Sequence, residues 1–316
     1  MKLTCDTKEH TRKAYGETLV ELGGEDPNIV VVDADLSSST QTIMFAREYP
    51  DRFFNVGCAE QNLMGLSAGL ALAGKTVFTS AFAMFGAGRG WEQIRNTIAY
   101  DSLNVKIVLT HAGITVGKDG SSHQIIEDLS LMRVIPGMKV QVPADPVETR
   151  AMVRAAARYE GPIYMRLTRE KSPVLFEDYG KFTDKPRKLL EGSDVSIFAC
   201  GYMVSEAIQA AAELKKKGIS ASLLNMHTIK PLDREFVAKA AKETGAVVSV
   251  EEHSIHGGLG SALAEALAED CPTPMRRVGI RDRFGKSGSA EDLLQMYNLK
   301  SADIVKAAEE AVKMKK

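Results

Sequence analysis

Residues 28–40 read Asn28-Ile-Val-Val-Val-Asp-Ala-Asp-Leu-Ser-Ser-Ser-Thr40, an apolar run followed at once by a polar loop. An unbroken run of β-branched residues is typical of a strand that a parallel sheet buries on both faces. Segments with helical periodicity, such as residues 60–72 and 146–158, separate this run from others like it. Those other runs are residues 77–80, 105–110, 139–142 and 163–167. The alternation predicts parallel βα units.

A second series of the same kind follows residue 190. Its predicted strands are residues 195–199, 220–224, 246–250 and 276–280, and its predicted helices are residues 205–217, 233–244, 259–269 and 302–312. Residues 171–188 contain two prolines and four lysines without either periodicity, which favours a linker. A chain of 316 residues is long enough for two cores. The sequence therefore predicts the α/β fold class, with mainly parallel sheets flanked by helices in two domains, residues 1–185 and 190–316.

The charge balance and the spacing of the cysteines argue against several classes of partner and binding site. With 40 basic and 41 acidic residues, the formal net charge of −1 argues against a nucleic-acid or anionic-membrane partner. The start of the chain lacks the apolar core of a signal peptide, and no apolar run approaches a membrane span, so we expect a cytoplasmic protein. No Cys-x-x-Cys pair occurs, which favours reduced thiols and argues against a metal site or a disulfide framework. The cysteines are Cys5, Cys58, Cys200 and Cys271.

Polar or aromatic residues follow three predicted strands of the first domain, where α/β sheets bind their ligands. The first loop contains Ser39, the second reads Phe82-Ala-Met-Phe85, and the third begins with His111. The third loop continues as Gly117-Lys-Asp-Gly-Ser-Ser-His-Gln124, and the stretch Gly57-Cys-Ala-Glu-Gln-Asn62 adds Glu60 at a helix start. These segments are the candidate functional loops.

Glu60 and the phenylalanine pair each allow two interpretations. Apolar segments flank Glu60, so we expect its side chain to lie partly out of water; the alternative is an ordinary first-turn carboxylate that the helix dipole stabilises. Phe82 and Phe85 are three positions apart, which places both rings on one side if a helix begins there. Such a pair suits a flat aromatic ligand, and core packing is the alternative.

The third loop carries groups suited to proton transfer. Histidine side chains can give and take protons, and this loop has two, His111 and His123. Asp119, between them, can accept hydrogen bonds from a hydroxylated substrate. The alternative is that these polar residues satisfy one another. His10 and His227 are interpreted as ordinary surface or turn residues.

Taken in order, these segments resemble a known family. The runs Gly57-Cys-Ala-Glu-Gln-Asn62, Thr79-Ser-Ala-Phe-Ala-Met-Phe85, Thr110-His111, Asp119-Gly-Ser-Ser-His-Gln124 and Gly161-Pro-Ile-Tyr-Met-Arg-Leu-Thr-Arg169 resemble the pyrimidine-binding domain of transketolase. Residues 190–316 are similar to the C-terminal domain of the same family, through Glu251-Glu-His253, Gly257-Gly-Leu-Gly260 and Gly279-Ile-Arg-Asp-Arg-Phe-Gly285. The resemblance covers essentially the whole chain.

The resemblance implies a transferase that moves a two-carbon ketol unit between sugar phosphates with thiamine diphosphate, as in the pentose phosphate pathway. Glu60 matches the catalytic glutamate that hydrogen-bonds the aminopyrimidine ring nitrogen, and Phe82 and Phe85 match the aromatic wall beside that ring. His123 matches a catalytic histidine near the reacting carbon. The remaining matches are substrate contacts: Asp119 to a hydroxyl, and His111, Arg169 and Ser39 to the phosphate.

Two departures from the family pattern shape the expectation. Gly88 stands where the family has a third aromatic residue, so we expect the pyrimidine pocket to be completed differently or to be looser. The family's diphosphate and magnesium motif, Gly-Asp-Gly followed by Asn, is absent from the 316 residues. We therefore expect an N-terminal transketolase subunit to bind Mg²⁺ and the diphosphate of the shared cofactor, in an assembly with two copies of each chain. This chain is expected to be inactive alone.

Related functions remain as alternatives. A 2-oxo acid dehydrogenase β-type subunit would share Glu60 but not the phenylalanine and histidine motifs. A deoxyxylulose-phosphate synthase-like chain is closer, because residues 128–136 resemble that enzyme. A non-catalytic scaffold of the same fold is the third alternative, and it has no physical need for the matched acid, aromatic pair and phosphate contacts.

Overall fold

A computed structural model of the chain describes residues 7–315. Fourteen strands occur in this range, numbered in chain order. They are β1 (Lys8–His10), β2 (Ile29–Asp33), β3 (Phe53–Asn55), β4 (Thr76–Ser80), β5 (Val105–Leu109), β6 (Lys139–Gln141), β7 (Ile163–Arg166), β8 (Lys171–Pro173), β9 (Arg187–Leu190), β10 (Val195–Ala199), β11 (Ala221–Asn225), β12 (Thr228–Lys230), β13 (Val247–Ser254) and β14 (Met275–Ile280).

Thirteen α-helices lie in the same range of the chain. They are α1 (Thr11–Glu25), α2 (Ser37–Thr40), α3 (Ile43–Glu48), α4 (Glu60–Leu72), α5 (Ala83–Arg89), α6 (Trp91–Gln93), α7 (Asp128–Arg133), α8 (Pro146–Ala157), α9 (Met203–Lys216), α10 (Arg234–Thr244), α11 (Leu259–Asp270), α12 (Ala290–Met296) and α13 (Ser301–Lys313). None of the helices within residues 7–315 combines the length and the apolar content that a bilayer crossing requires.

Two mainly parallel sheets organise the chain. The first has seven strands in the order β12-β6-β7-β5-β4-β2-β3, and only β12 runs antiparallel to its neighbour. The second has five strands in the order β14-β13-β10-β11-β9, and only β9 is antiparallel. A two-stranded antiparallel pair, β1 and β8, completes the set. The predicted α/β class with mainly parallel sheets is confirmed.

Strand β2 shows why the first sheet is stable. Successive side chains of a strand point to opposite faces. Val30 and Val32 belong to the cluster beneath α4 and α5, whereas Ile29 and Val31 belong to the cluster beneath α1 and α8. Both faces of the sheet are therefore covered by helices, and the ends of its strands are where polar loops can form.

Three features of the fold differ from the sequence prediction. The segment predicted as a linker begins with β8 and leads into β9, and the Leu175 and Phe176 N–H groups donate to Oδ2 of Asp145 at 2.8 and 3.0 Å. Strand β12 follows the linker in sequence but joins the first sheet. Helix α1 was not expected, because glycines weaken its local signal. Two of them, Gly16 and Gly23, allow close packing. A Cβ atom at Gly16 would lie 2.5 Å from the Gln41 carbonyl oxygen, and one at Gly23 would lie 2.5 Å from the Tyr49 ring.

A buried ionic cluster joins the two sheets. Arg166 in β7 donates from Nε to Asp128 Oδ2 at 2.8 Å and lies 3.8 Å from Glu252 in β13. Glu252 Oε2 accepts hydrogen bonds from the backbone N–H and the hydroxyl of Thr115, at 3.1 and 2.8 Å. Burial raises the pKa of Glu252, and the nearby Arg166 opposes that rise. Two carboxylates share one guanidinium in this cluster, and hydrogen bonds from the Thr115 and Tyr164 hydroxyls to the carboxylates help the interior to tolerate it.

The cysteines that the structure describes are free thiols. Cys200 is buried, Cys58 is exposed and Cys271 is intermediate. Cys5 lies outside the described residues. The expected absence of a disulfide framework is therefore confirmed for the three cysteines within residues 7–315.

His227, interpreted from the sequence as a surface or turn residue, is buried. Its Nε2 lies 3.0 Å from the Lys185 carbonyl oxygen, its Nδ1 lies 3.0 Å from the Thr228 hydroxyl, and its ring packs 4.9 Å from that of Phe182. Burial lowers the pKa of His227 to about 4, although the bond to Lys185 raises it. The sequence interpretation was wrong because Lys185, whose carbonyl oxygen contacts the His227 ring, lies 42 positions away along the chain.

We expect His227 to make the protein acid-sensitive. The unfolded chain binds a proton near pH 6.5 and the folded chain only near pH 4, so stability is complete above pH 6.5 and is lost as the pH falls towards 4. Between pH 7 and pH 5, the unfolding free energy of His227→Gln should fall by about 2 kcal/mol less than that of the unsubstituted protein. Urea unfolding at the two pH values measures this difference. An equal fall in both proteins would contradict the assignment.

Candidate active site

The candidate residues of the first domain gather at the carboxyl edge of its sheet. Ser39 lies in α2 after β2, Phe82 directly precedes α5 after β4, and His111 follows β5. His111 has a positive φ of 59°, an uncommon backbone conformation for a residue other than glycine. Glu60 is the first residue of α4, as the sequence predicted.

An aromatic cluster occupies the centre of this edge. The rings of Phe82 and Phe85 are stacked with centroids 6.0 Å apart, so they lie on one side as their spacing predicts. Phe82 also stacks on His111 at 3.8 Å, and His123 meets the ring of Phe85 edge-on at 5.1 Å. The structure therefore brings two phenylalanines and two histidines of separate loops into one group.

Glu60 is held out of water beside this cluster. Its residue is 5% exposed, and Nη1 of Arg89 donates to its two carboxylate oxygens at 3.1 and 3.2 Å. The guanidinium carbon of Arg89 lies 4.4 Å from the Phe85 ring centroid, in a cation–π arrangement. Sequence reasoning missed Arg89, although it directly follows Gly88. Because 58% of the Arg89 side chain is exposed, this partner has room to move away from the acid.

Basic residues form the other end of the site. A cleft of about 550 Å³ is lined in part by Lys8, His10, Lys118, Arg169 and Lys171. The ring Nδ1 of the half-buried His10 lies 3.1 Å from the Arg169 carbonyl oxygen. This end of the site suits an anionic ligand.

Arg12 connects the basic end with the loop after β2. Its Nη1 donates to the Ser39 carbonyl at 2.7 Å, and its buried Nε has no hydrogen-bond partner within the described part of the chain. An unsatisfied buried donor is uncommon and favours a ligand contact. Arg12 was not singled out from the sequence because helix α1, which carries it, was not predicted.

His111 is neutral at physiological pH. Burial, followed by the charges of Arg12 and Arg169, lowers the pKa of His111 to about 3. Its Nδ1 lies 2.8 Å from the Thr110 hydroxyl. A neutral imidazole contributes a hydrogen bond and no charge, so positive charge at this end comes from the arginines and lysines.

Residues of both domains contact the loop that carries Asp119 and His123. Asp119 Oδ2 lies 3.6 Å from Nε of Arg169. Gln124 donates from Nε2 to the carbonyl oxygens of Gly117 and Lys286, at 3.0 and 2.9 Å. The contact with Lys286 crosses 162 sequence positions. The second domain therefore helps to position the loop.

Gly88 leaves open space next to the aromatic cluster. A Cβ atom added there would have only Cε of Met84 nearby, at 3.4 Å, whereas one added at Gly86 would lie 2.8 Å from both Cδ atoms of buried Leu109. Position 88 is exposed and could take a methyl group in ordinary contact with Met84.

Comparison with known proteins places this geometry in a family. Residues 7–174 match the family model of the transketolase pyrimidine-binding domain, and residues 184–304 match that of the transketolase C-terminal domain. The chain therefore belongs to the transketolase family.

Similar proteins indicate the part of the family to which the chain corresponds. A Methanocaldococcus jannaschii protein provisionally named a transketolase C-terminal section is 51% identical over 96% of each chain. Subunit SqwH of the 6-deoxy-6-sulfo-D-fructose transketolase of Clostridium sp. strain MSTE9 is 44% identical over 98% of this chain and 96% of its own. A solved split-gene transketolase, an inactive β4 tetramer, aligns with a TM-score of 0.91 at 52% identity over 97% of this chain and 99% of that one. The chain corresponds along this length to the C-terminal half of a split transketolase.

The two glycines of α5 yield a matched pair of stability predictions. Gly88→Ala should raise the unfolding free energy by about 0.5–1 kcal/mol, because alanine favours the helix and meets open space. Gly86→Ala should lower it by about 1–3 kcal/mol, because the added methyl group overpacks against Leu109. Urea unfolding checks both changes. Equal effects of the two substitutions would be inconsistent with the space described at Gly88.

Proposed function

We propose that this chain is the cofactor-activating subunit of a two-chain transketolase, which moves a two-carbon ketol unit between sugar phosphates. The observation that carries the proposal is the buried carboxylate of Glu60 beside the stacked rings of Phe82 and Phe85. The family membership supports it. The Clostridium relative gives further support. It is a transketolase subunit by name, and the sugar in that name carries an anionic sulfo group, as a sugar phosphate carries an anionic phosphate group.

The residues present fit the pyrimidine end of thiamine diphosphate. When bound, that cofactor supplies a carbon nucleophile that accepts the two-carbon unit. Glu60 would share a proton with the pyrimidine ring nitrogen, a task that a carboxyl group held out of water performs better than a solvated one. Phe82 and Phe85 would bind the ring face. Arg89 would have to release Glu60 for this contact.

The basic end would bind the substrate's phosphate group. Arg169 and Arg12 supply charge and forked donors, which match phosphate oxygens in pairs. Neutral His111 would donate one hydrogen bond, and Ser39 would add a contact from the loop after β2. Arg169 Nη1 donates to Glu170 Oε1 at 2.9 Å and its Nε lies 3.6 Å from Asp119 Oδ2, so a phosphate would use the remaining N–H donors of this guanidinium.

The remaining loop residues would handle the sugar itself. Asp119 would accept a hydrogen bond from a substrate hydroxyl. His123, whose ring packs against Phe85, would give a proton to or take one from a hydroxyl near the reacting carbon. Its Nδ1 lies 3.0 Å from the Ser122 hydroxyl, which leaves Nε2 for the substrate.

The proposal requires a second chain. The sequence lacks the Gly-Asp-Gly motif, so we assign the diphosphate and Mg²⁺ to an N-terminal transketolase subunit, with two copies of each chain in the assembly. Residues 1–185 would form the pyrimidine-binding domain and residues 190–316 the C-terminal domain. A cofactor that spans two domains would then be bound at the interface between chains.

Reconstitution tests the function directly. This chain, mixed with the N-terminal subunit isolated from the same source, thiamine diphosphate and Mg²⁺, should transfer a ketol unit from xylulose 5-phosphate. Glu60→Gln should lower that rate at least about a hundredfold, because it removes a proton-sharing group, without preventing assembly. Coupled product assays and size-exclusion chromatography measure the two effects.

Two controls accompany the reconstitution. This chain alone, with cofactor and Mg²⁺, should show no ketol transfer; activity there would refute the division of the site between chains. A fully active Glu60→Gln complex would favour the non-catalytic scaffold, and pyruvate decarboxylation would favour the other thiamine-dependent alternatives.

Replacing Arg169 tests the phosphate contact. Arg169→Gln should raise the KM for erythrose 4-phosphate about tenfold to a hundredfold, because a charge-assisted pair of hydrogen bonds is lost. The KM for unphosphorylated erythrose should stay nearly constant, since that acceptor has no phosphate. Steady-state kinetics of the reconstituted complex give both values. A parallel rise for both acceptors would mean that Arg169 acts through Asp119 and not on the phosphate.

A further inference from the structure

We propose a second anion-binding site in the second domain, which takes a small phosphate-bearing molecule. It is a cleft of about 280 Å³ between β14, the loop after it and the helices α12 and α13. None of its lining residues belongs to the candidate active site. Its basic residues come from β14, the loop after it and α13, and are Arg276, Arg277, Arg281, Arg283 and Lys306.

The charge of the cleft is strongly unbalanced. The cleft is lined by five basic residues and by two acids, Asp303 and Glu310. Glu310 is already paired with Arg276 at 3.0 Å, and Asp303 accepts a hydrogen bond from the Lys300 backbone N–H at the start of α13. Both acids therefore have their own partners, and the net positive charge of the cleft is left for a ligand.

Three arginines of the cleft are positioned without being neutralised. Arg277 donates to the Ile255 carbonyl at 2.9 Å, and Arg281 donates to the Arg277 carbonyl at 2.9 Å. Arg283 lies 4.9 Å over the Tyr297 ring. No carboxylate within residues 7–315 forms an ion pair with any of the three. A guanidinium carries five N–H donors, so each arginine keeps donors for phosphate oxygens.

The ring of Tyr297 fixes the wall of the cleft. Its hydroxyl donates to the Phe284 carbonyl at 2.6 Å, which ties the loop after β14 to the end of α12. The two exposed arginines of that loop, Arg281 and Arg283, line the cleft together with Lys306 of α13. Fixed donors lose less entropy when an anion binds.

The size of the cleft limits the ligand class. Its volume lies near the lower end of the roughly 300–1,000 Å³ typical of ligand pockets. A single phosphate ester or a diphosphate fits that space, and a dinucleotide does not. The shared chemistry is a compact group with two or more negative charges, either as inorganic phosphate or as part of a sugar phosphate.

Calorimetric titration of the full chain tests the site with two probes, inorganic pyrophosphate and glucose 6-phosphate. The chain should bind at least one of them. In Arg281→Gln/Arg283→Gln the dissociation constant should rise about tenfold or more, since charge-assisted hydrogen bonds are lost. Lys306→Gln, an exposed change on a different element, should weaken binding several-fold. The probe that binds more tightly shows whether the inorganic or the esterified anion is preferred.

Two controls separate this cleft from other basic surfaces. Lys239→Gln/Lys242→Gln removes the same number of charges from exposed positions of α10 and should leave the dissociation constant within about twofold. Arg169→Gln weakens anion binding at the candidate active site, so the binding that persists in this variant reports the cleft, and its dissociation constant should be unchanged. The proposal is overturned if neither probe binds, if either control loses binding as the cleft variants do, or if the cleft variants bind normally. These outcomes do not depend on ketol transfer, so they are distinct from a failure of the proposed function.

Discussion

A parallel sheet must be covered on both faces, and this constraint determines where the chain can place polar groups. Strand β2 sends alternate side chains into two separate apolar clusters, one on each face of the first sheet. Helices occupy those faces, so polar side chains collect where strands end and loops begin. Ser39, Phe82 and His111 follow three neighbouring strands at one such edge, and this is why loops far apart in sequence form one site.

The site separates charge along its length. At one end Glu60 is buried and pairs with a single arginine, and at the other end Arg169 and three lysines line a cleft together with Glu170 and Glu291. The stacked aromatic cluster lies between them. Burial and the neighbouring arginines lower the pKa of His111 so far that the ring stays uncharged, and the basic end therefore keeps a constant charge across the physiological pH range. Such an arrangement suits a cofactor ring at one end and a substrate anion at the other.

The second domain contributes to the first in two ways. The buried cluster of Arg166, Asp128 and Glu252 ties β7 to β13, and a core of apolar residues from both sheets surrounds it. The segment after β14 reaches back to the loop that carries Asp119, through Lys286 and Ser287, whose hydroxyl donates to the Lys118 carbonyl at 2.6 Å. The same segment supplies Arg281 and Arg283 to the basic cleft. One stretch of the second domain therefore borders both anion-binding regions.

Local patterns in the sequence were sufficient for the α/β class, for the bounds of α4 and for the placement of Phe82 and Phe85 on one side, because hydrophobic periodicity and turn signals act over a few residues. Strand β12 could not be assigned to the first sheet, nor β9 to the second, since strand pairing across the chain leaves no local trace. The contact between the His10 ring and the Arg169 carbonyl was missed for the same reason, because it spans 159 positions, whereas Arg12 was missed because helix α1 was not predicted. The burial of His227 and the pairing of Glu60 with Arg89 also depend on side chains that only the folded chain brings together. Periodicity thus determined which elements form, whereas long-range packing decided which charged groups face one another.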